Sequence, residues 1–251
     1  MIPLTRVSHA QRLLVALDFD GTVAPVAARP ELAVLDPVAA SALAELASMP
    51  DTFLAVLSGR DLEDLHGRIP RHDSMWLAGS HGRLVQRPGM DLPVAQDDPR
   101  LVAFREIPLL RGLRRECKDF SVAYHWRGRK EGQPVGWLLD IRERAERAGL
   151  EVLEGLHWLE VLVPGTSKEV ALERIAREVD ATRIFYAGDD RSDLQALVVA
   201  HDRGLGVFVH SSERAWMAPR GLPQAKSPHD LALALRRLAE ERWKWLESRA
   251  L

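Results

Sequence analysis

Four short polar clusters, each just beyond an apolar run, carry the residues best able to do chemistry. They are Asp18-Phe19-Asp20-Gly21-Thr22, Ser58-Gly59-Arg60, Thr166-Ser167-Lys168 and Gly188-Asp189-Asp190-Arg191-Ser192-Asp193. Converging carboxylates repel one another and call for a bound cation, and an all-oxygen ligand set suits Mg²⁺. A Mg²⁺ held by one or two carboxylates in turn suits a phosphate group, whose oxygens Ser58 and Lys168 would hold by hydrogen bond and charge. Asp18 and Asp20 stand two apart at a strand end, so alternation points both side chains one way. That spacing lets one carboxylate attack phosphorus while its neighbour carries a proton, with an aspartyl phosphate between two steps. An isolated Asp-x-Asp-Gly is a surface turn more often than a site. Four clusters recurring in order after buried runs are not.

These clusters need strands and helices to position them. Leu13–Leu17 is unbroken apolar sequence, the pattern of a strand buried on both faces of a parallel sheet. Asp36-Pro37 is an N-cap followed by proline at the first helical position, and Val38, Ala42, Leu43 and Leu46 continue at helical spacing. Phe53–Leu57 is a second buried strand, so the polar ends at Asp18 and Ser58 share one edge of a βαβ unit. The pattern returns late in the chain. Thr166-Ser167-Lys168-Glu169 reads as a capping box opening a helix, residues 182–187 read as a strand ending at Gly188-Asp189-Asp190, and Leu205–Val209 reads as another. From about His229 to Arg249 the spacing of Leu231, Leu235, Leu238 and Trp245 predicts a closing amphipathic helix. Ligands bind at the carboxyl ends of strands in such sheets.

The middle of the chain behaves differently. Phe120–Trp126 alternates loosely, Gly136–Ala148 has helical character stopped by Gly149, and Glu151–Val163 reads as two strands turning near Gly155. The sequence thus predicts an α/β fold with a discontinuous core, residues 1–82 and 164–251, interrupted by an inserted α+β domain at 83–163.

Composition narrows the class. The 251 residues carry 34 basic and 36 acidic side chains, a net charge of −2, which argues against a nucleic-acid binder, whose affinity needs a basic surface. The single cysteine, Cys117, allows no internal disulfide or thiolate cage and reads as a packed or idle thiol. No apolar run reaches the roughly 18–20 residues of a membrane span, and the first residues lack a signal-peptide pattern. The expectation is a cytoplasmic enzyme with no membrane partner. Trp76, Trp137, Trp158, Trp243 and Trp245 read as packing residues, and the Arg/Glu-rich stretches 142–147 and 236–242 as solvated helix faces.

Asp18-Phe19-Asp20-Gly21-Thr22-Val23, Ser58, Lys168 and Gly188-Asp189-Asp190-x-x-Asp193 resemble the four motifs of the haloacid dehalogenase (HAD) superfamily of phosphohydrolases. Within it, the chain resembles the trehalose-6-phosphate phosphatase family over nearly its whole length. Leu57-Ser58-Gly59-Arg60, Gly79-Ser80-His81-Gly82 and the run from Glu116-Cys117-Lys118 to His125-Trp126-Arg127 carry that narrower likeness. The resemblance implies a HAD-like Rossmannoid core with an inserted cap domain. It makes Asp18 the nucleophile and Asp20 the general acid/base. Mg²⁺ is then held by Asp18, Asp20 through its backbone carbonyl, and Asp189, with Asp193 in support. Ser58, Gly59 and Lys168 take the phosphate, Lys168 also acting in catalysis. Arg60, His81, Gly82, Glu116, Lys118, Arg127 and Glu160 are the expected sugar-binding set.

The implied substrate is trehalose 6-phosphate, with a sugar-phosphate synthase as an allowed partner. Departures from the family pattern at Leu162, Pro164 and Glu169 keep another sugar phosphate open, such as a glycosyl phosphoglycerate or sucrose phosphate. A mutase needs the same nucleophile and stays open too. A non-catalytic HAD-like regulatory module is the alternative of a different class, and the intact Asp18, Asp20, Lys168 and Asp189 set speaks against it.

Overall fold

Every side chain of the first apolar run, Leu13–Leu17, is buried, and its alternation sets the layers. The structure, a computed structural model, describes residues 2–27, 29–70, 72–165, 167–210 and 219–250. Among these the strands are β1 (Leu13–Leu17), β2 (Thr52–Leu57), β3 (Trp76–Gly79), β4 (Leu84–Gln86), β5 (Arg114–Cys117), β6 (Ser121–His125), β7 (Glu151–Gly155), β8 (Trp158–Leu162), β9 (Arg183–Gly188), β10 (Gly204–Val209) and β11 (Gln224–Ala225). The helices are α1 (Thr5–Ser8), α2 (Pro37–Ala47), α3 (Leu62–Arg68), α4 (Val102–Arg105), α5 (Val135–Arg147), α6 (Lys168–Glu178), α7 (Leu194–Arg203) and α8 (Pro228–Ala250). No helix among the described residues is long and apolar enough to cross a membrane.

The chain divides into two compact units, Met1–Pro93 with Ser167–Leu251, and Val94–Thr166. The first holds a sheet of order β11-β10-β9-β1-β2-β3-β4. Its pairings are parallel except β3 with β4. Leu13, Val15 and Leu17 pack into one apolar layer with Leu43 and Leu46 of α2 and Leu235 and Leu238 of α8. Leu14 and Ala16 face the other layer, with Leu172 and Ile175 of α6 and Leu197 of α7. Each buried leucine or valine here contributes roughly 1.5–3 kcal/mol, which is why the β1 sequence is apolar throughout. Asp36 caps α2 by accepting from the Val38 and Ala39 amides. Arg242 of α8 is fully buried; it donates to Thr52 Oγ1 at 2.6 Å, to the Ala10 carbonyl at 2.9 Å and to the Asp51 carbonyl at 2.7 Å.

The second unit holds an antiparallel sheet of order β5-β6-β8-β7 and the amphipathic helix α5. Two expectations shift. The sequence predicts the inserted domain from residue 83, but β4 pairs antiparallel with β3 (Ala78 opposite Val85), so residues 84–86 belong to the large sheet. The capping box slips by one: Ser167 is the N-cap of α6 and its side chain makes no capping bond. Glu169 therefore stands one position too early to reciprocate, and Thr166 lies outside the described residues.

Candidate active site

The parallel register brings three strand ends to one edge. Leu17 of β1 lies opposite both Val56 of β2 and Ala187 of β9, so Asp18, Ser58 and Asp189 leave the sheet side by side. The chain builds from β1 to β3 on one flank and returns with β9 to β11 on the other. The gap between β1 and β9 is thus a point where the winding reverses, the usual place for a ligand.

Asp18 is almost wholly buried and both its oxygens are engaged. Oδ1 accepts from Lys168 Nζ at 2.6 Å and Oδ2 from Thr22 Oγ1 at 2.9 Å. Lys168, the first residue of α6, also donates to Asp193 Oδ1 at 2.8 Å. Tyr186 OH donates to the same oxygen at 2.6 Å, and the Asp190 amide to Asp193 Oδ2 at 3.0 Å. Asp193 is therefore oriented as the lysine's counterion. Carboxylate oxygens of Asp18, Asp189 and Asp193 lie within 4.8 Å of one another, all three residues buried. Gly21 permits the crowding: its φ is +81°, and a Cβ there would stand 2.1 Å from Asp189 Oδ2.

Burial dominates the electrostatics. It pushes the Asp18 carboxyl up to about 7, against the pull of Lys168, with Asp193 and Asp20 adding repulsion. Burial also works against the Lys168 ammonium, but Asp18 and Asp193 more than reverse it and hold it above its ordinary value. The Tyr186 hydroxyl is raised by burial and by Asp193. One lysine shared by Asp18 and Asp193, with Asp189 in the same buried group, leaves negative charge in excess, and an oxygen-only donor set of this kind fits a hard divalent cation.

The Asp20 carboxylate is not in this group. Arg60 forks it, Nε to Oδ2 at 2.6 Å and Nη2 to Oδ1 at 2.7 Å. Arg60, expected in the sugar-binding set, bonds Asp20 here and, through Nη1 at 2.6 Å, Asp64. Burial opposes its charge, and these two carboxylates raise its pKa. Partial burial pushes the Asp64 carboxyl up, and the hydrogen bonds of Arg68 and Arg60 outweigh that and lower it.

Ser58 is buried, and its Oγ accepts from the Arg60 amide at 3.2 Å. The Ser80-His81-Gly82 turn packs on this loop: the His81 amide donates to the Ser58 carbonyl at 2.8 Å. The buried His81 ring occupies the space a side chain at Gly59 would take, 2.6 Å from its Cβ position. Ser80 and His81 both have left-handed backbone, φ 49° and 54°, a conformation costly for non-glycine residues.

In the second unit Glu116 lies on β5 and Glu160 on β8, and Lys118 directly follows β5. Glu160 is buried and accepts from Lys118 Nζ at 2.9 Å and Ser121 Oγ at 2.5 Å. Glu116 meets His125 Nε2 at 3.0 Å, and that hydrogen bond lowers the Glu116 carboxyl against partial burial. Arg127 is exposed beyond the end of β6. Cys117, read as a packed or idle thiol, is exposed at the end of the edge strand β5. The sequence motifs do not include Asp64, Arg68 or Tyr186, and they give Thr22 no role. For Tyr186 the signal was present, a lone hydroxyl-bearing side chain in an otherwise apolar buried strand.

The trehalose-phosphatase family model matches residues 16–98. An uncharacterised glycosyl hydrolase of Mycobacterium tuberculosis is 32% identical over 94% of this chain and 19% of its own length. A bifunctional trehalose-6-phosphate synthase/phosphatase of Thermoproteus tenax is 30% identical over 80% of this chain and 29% of its own. A trehalose-phosphate phosphatase of M. tuberculosis is 29% identical over 92% of this chain and 62% of its own. The chain thus spans between about a fifth and three fifths of these relatives. The C-terminal domain of a Candida albicans trehalose-6-phosphate phosphatase superposes with a TM-score of 0.72 at 18% identity, over 94% of this chain and 95% of that one, so the two share a fold.

Proposed function

We propose, from its kinship with the trehalose-phosphatase family and its HAD-like fold, that this chain is a phosphatase of sugar phosphates, with trehalose 6-phosphate as its substrate. One observation carries the reading: Lys168 bridges Asp18 and Asp193 at the switch point of the sheet, with Asp189 alongside.

Asp18 is the nucleophile. Its attack on phosphorus forms the Asp18 O–P bond and breaks the ester P–O bond, and Asp20 gives its proton to the departing sugar oxygen. Water then attacks phosphorus, Asp20 takes a proton from it, and phosphate leaves as Asp18 is restored. Lys168 and Ser58 hold the phosphate oxygens, Lys168 by charge at a buried position where an ion interacts more strongly than in water. Asp18 and Asp189, with the Asp20 backbone and Asp193 in support, would hold Mg²⁺, which screens the negative charges that meet when a phosphate approaches a carboxylate. Glu116, Lys118 and Glu160 are the proposed sugar contacts, acting on the part of the substrate away from phosphorus. The synthase half of the T. tenax relative supports a sugar-phosphate synthase as partner.

Phosphate release from a panel of sugar phosphates, with and without Mg²⁺, tests the proposal. Metal-dependent release that favours trehalose 6-phosphate is expected. Release that favours another sugar phosphate would keep the chemistry and replace the substrate, and none from any ester would remove both.

A further inference from the structure

Asp20 is read above as the group that moves the proton, and it is only partly buried, its side chain 41% exposed. A carboxylate so placed rotates readily unless something holds it, and proton transfer depends on its geometry. Arg60 supplies one hold by forking both oxygens. The guanidinium is itself fixed from two further sides. It lies over the ring of Phe19, 5.4 Å from the centroid, and its third nitrogen is bound by Asp64.

Asp64 is pinned in turn. Arg68, one helical turn on in α3, donates Nε to both Asp64 oxygens at 2.9 Å and Nη2 to Oδ1 at 2.8 Å. The far side of Arg68 reaches the loop after β1, with Nη1 3.3 Å from the Glu31 and Ala33 carbonyls. The charges alternate along this row: Asp20, Arg60, Asp64, Arg68. Isolated surface ion pairs contribute little, but bidentate arginine geometry within a network is the exception. The Arg60 side chain is only 10% exposed, so screening by solvent is weak at the centre of the row.

We infer that Asp64 and Arg68 are positioning residues, acting through Arg60 to hold Asp20 where it can serve the departing oxygen. The inference rests on the acid/base reading of Asp20. Neither residue touches the carboxylates around Lys168 in the hydrogen bonds above, and neither belongs to the four strand-end clusters. Their effect on turnover passes through the orientation of Asp20.

A purely structural role and a positioning role differ in one measurable respect. Phenyl phosphate and p-nitrophenyl phosphate differ only by the nitro group, but p-nitrophenolate is a stable anion that departs with little protonation. The value of kcat/KM reports the steps through aspartyl-phosphate formation, where that protonation occurs. In the full chain with Mg²⁺, Asp64→Asn should lower kcat/KM by about tenfold for phenyl phosphate and by about twofold or less for p-nitrophenyl phosphate, a fraction of what general acid catalysis supplies. Placed on Asp20→Asn, Asp64→Asn should cost nothing further, because residues acting as a unit are not additive. Arg68→Gln carries the same comparison if Asp64→Asn does not fold. Equal losses on the two esters, or a full additional loss in the Asp20→Asn background, would overturn the inference while leaving Asp20 in its role. Full activity of Asp20→Asn itself would remove that role, and the positioning inference with it.

Discussion

The two units each bury charge, but they balance it differently. In the second unit Lys118 faces Glu160 and His125 faces Glu116, each acid with its own partner. In the first, Lys168 is shared by Asp18 and Asp193, with Asp189 in the same buried group. A matched pair is complete as it stands, whereas an excess of buried carboxylates is costly until a cation joins it. The contrast fits the proposed function, with an ion taken up in the first unit and neutral sugar hydroxyls in the second, which need donors and acceptors already held in position.

The largest effect should come from the excess side. Asp18→Asn should lower turnover by on the order of 10⁴-fold or more, as loss of a nucleophile does. The metal-free variant should melt no lower than the parent, since the amide removes one of the repelling charges. Substantial turnover by purified Asp18→Asn would end the nucleophile reading.

Removal of the metal follows. Chelation should stop turnover, and Mg²⁺ should restore it better than Ca²⁺, whose larger and looser coordination misplaces the nucleophile. At about 100 times its dissociation constant, Mg²⁺ should add roughly 2.7 kcal/mol of stability. Full activity in chelator, or a melting temperature indifferent to Mg²⁺, would contradict the distinction between the units.

The matched side should respond in stability first. Lys118→Ala takes the ammonium away from the buried Glu160 carboxylate, a change that costs roughly 3–5 kcal/mol when a buried pair loses one member. Binding is better probed by the double variant Lys118→Met with Glu160→Gln, which removes both charges. For trehalose 6-phosphate its kcat/KM should fall by on the order of tenfold, the size of a lost hydrogen bond to a charged group. For p-nitrophenyl phosphate, which has no sugar to hold, it should change little. Equal losses on both would make the pair structural.

Legibility in the sequence followed the same division. Strands buried on both faces announce themselves as apolar runs, so β1, β2, β9 and β10, and with them Asp18, Ser58 and Asp189, could be placed from composition alone. β3 and β4 could not: they are short, and β4 is followed closely by the turn residues Pro88 and Gly89, so a boundary at residue 83 falls before it. Side-chain partners were the least legible. Arg60 sits two residues after Ser58 and reads as a substrate contact, and nothing local says that Asp20, forty positions away in sequence, will take its fork. The helix register of α3, which sets Asp64 and Arg68 one turn apart, decides the matter only once the strands have brought Arg60 beside β1.

The smallest expected effect is a difference in the sign of two titrations. Burial holds the Asp18 carboxyl up near 7 from an ordinary 3.8, so the metal-free folded state binds a proton there more tightly than the unfolded chain does. Its contribution is whole below 3.8 and is lost as pH rises through about 7. Glu116 titrates the other way. The His125 hydrogen bond lowers it from 4.5, so its contribution is present above that value and lost as pH falls through the depressed one. The Glu116 side chain is 40% exposed, and screening reduces the effect to a few tenths of a kcal/mol, typical of exposed pairs. Urea denaturation in chelator should therefore find Asp18→Asn gaining on the parent as pH rises from 5 toward 8. Glu116→Gln should trail the parent slightly near neutrality and draw level below the Glu116 pKa. Mg²⁺ should abolish the first difference and leave the second untouched. If both differences ran in the same direction with pH, or if Mg²⁺ moved both alike, the two units would not differ in charge balance as the geometry describes.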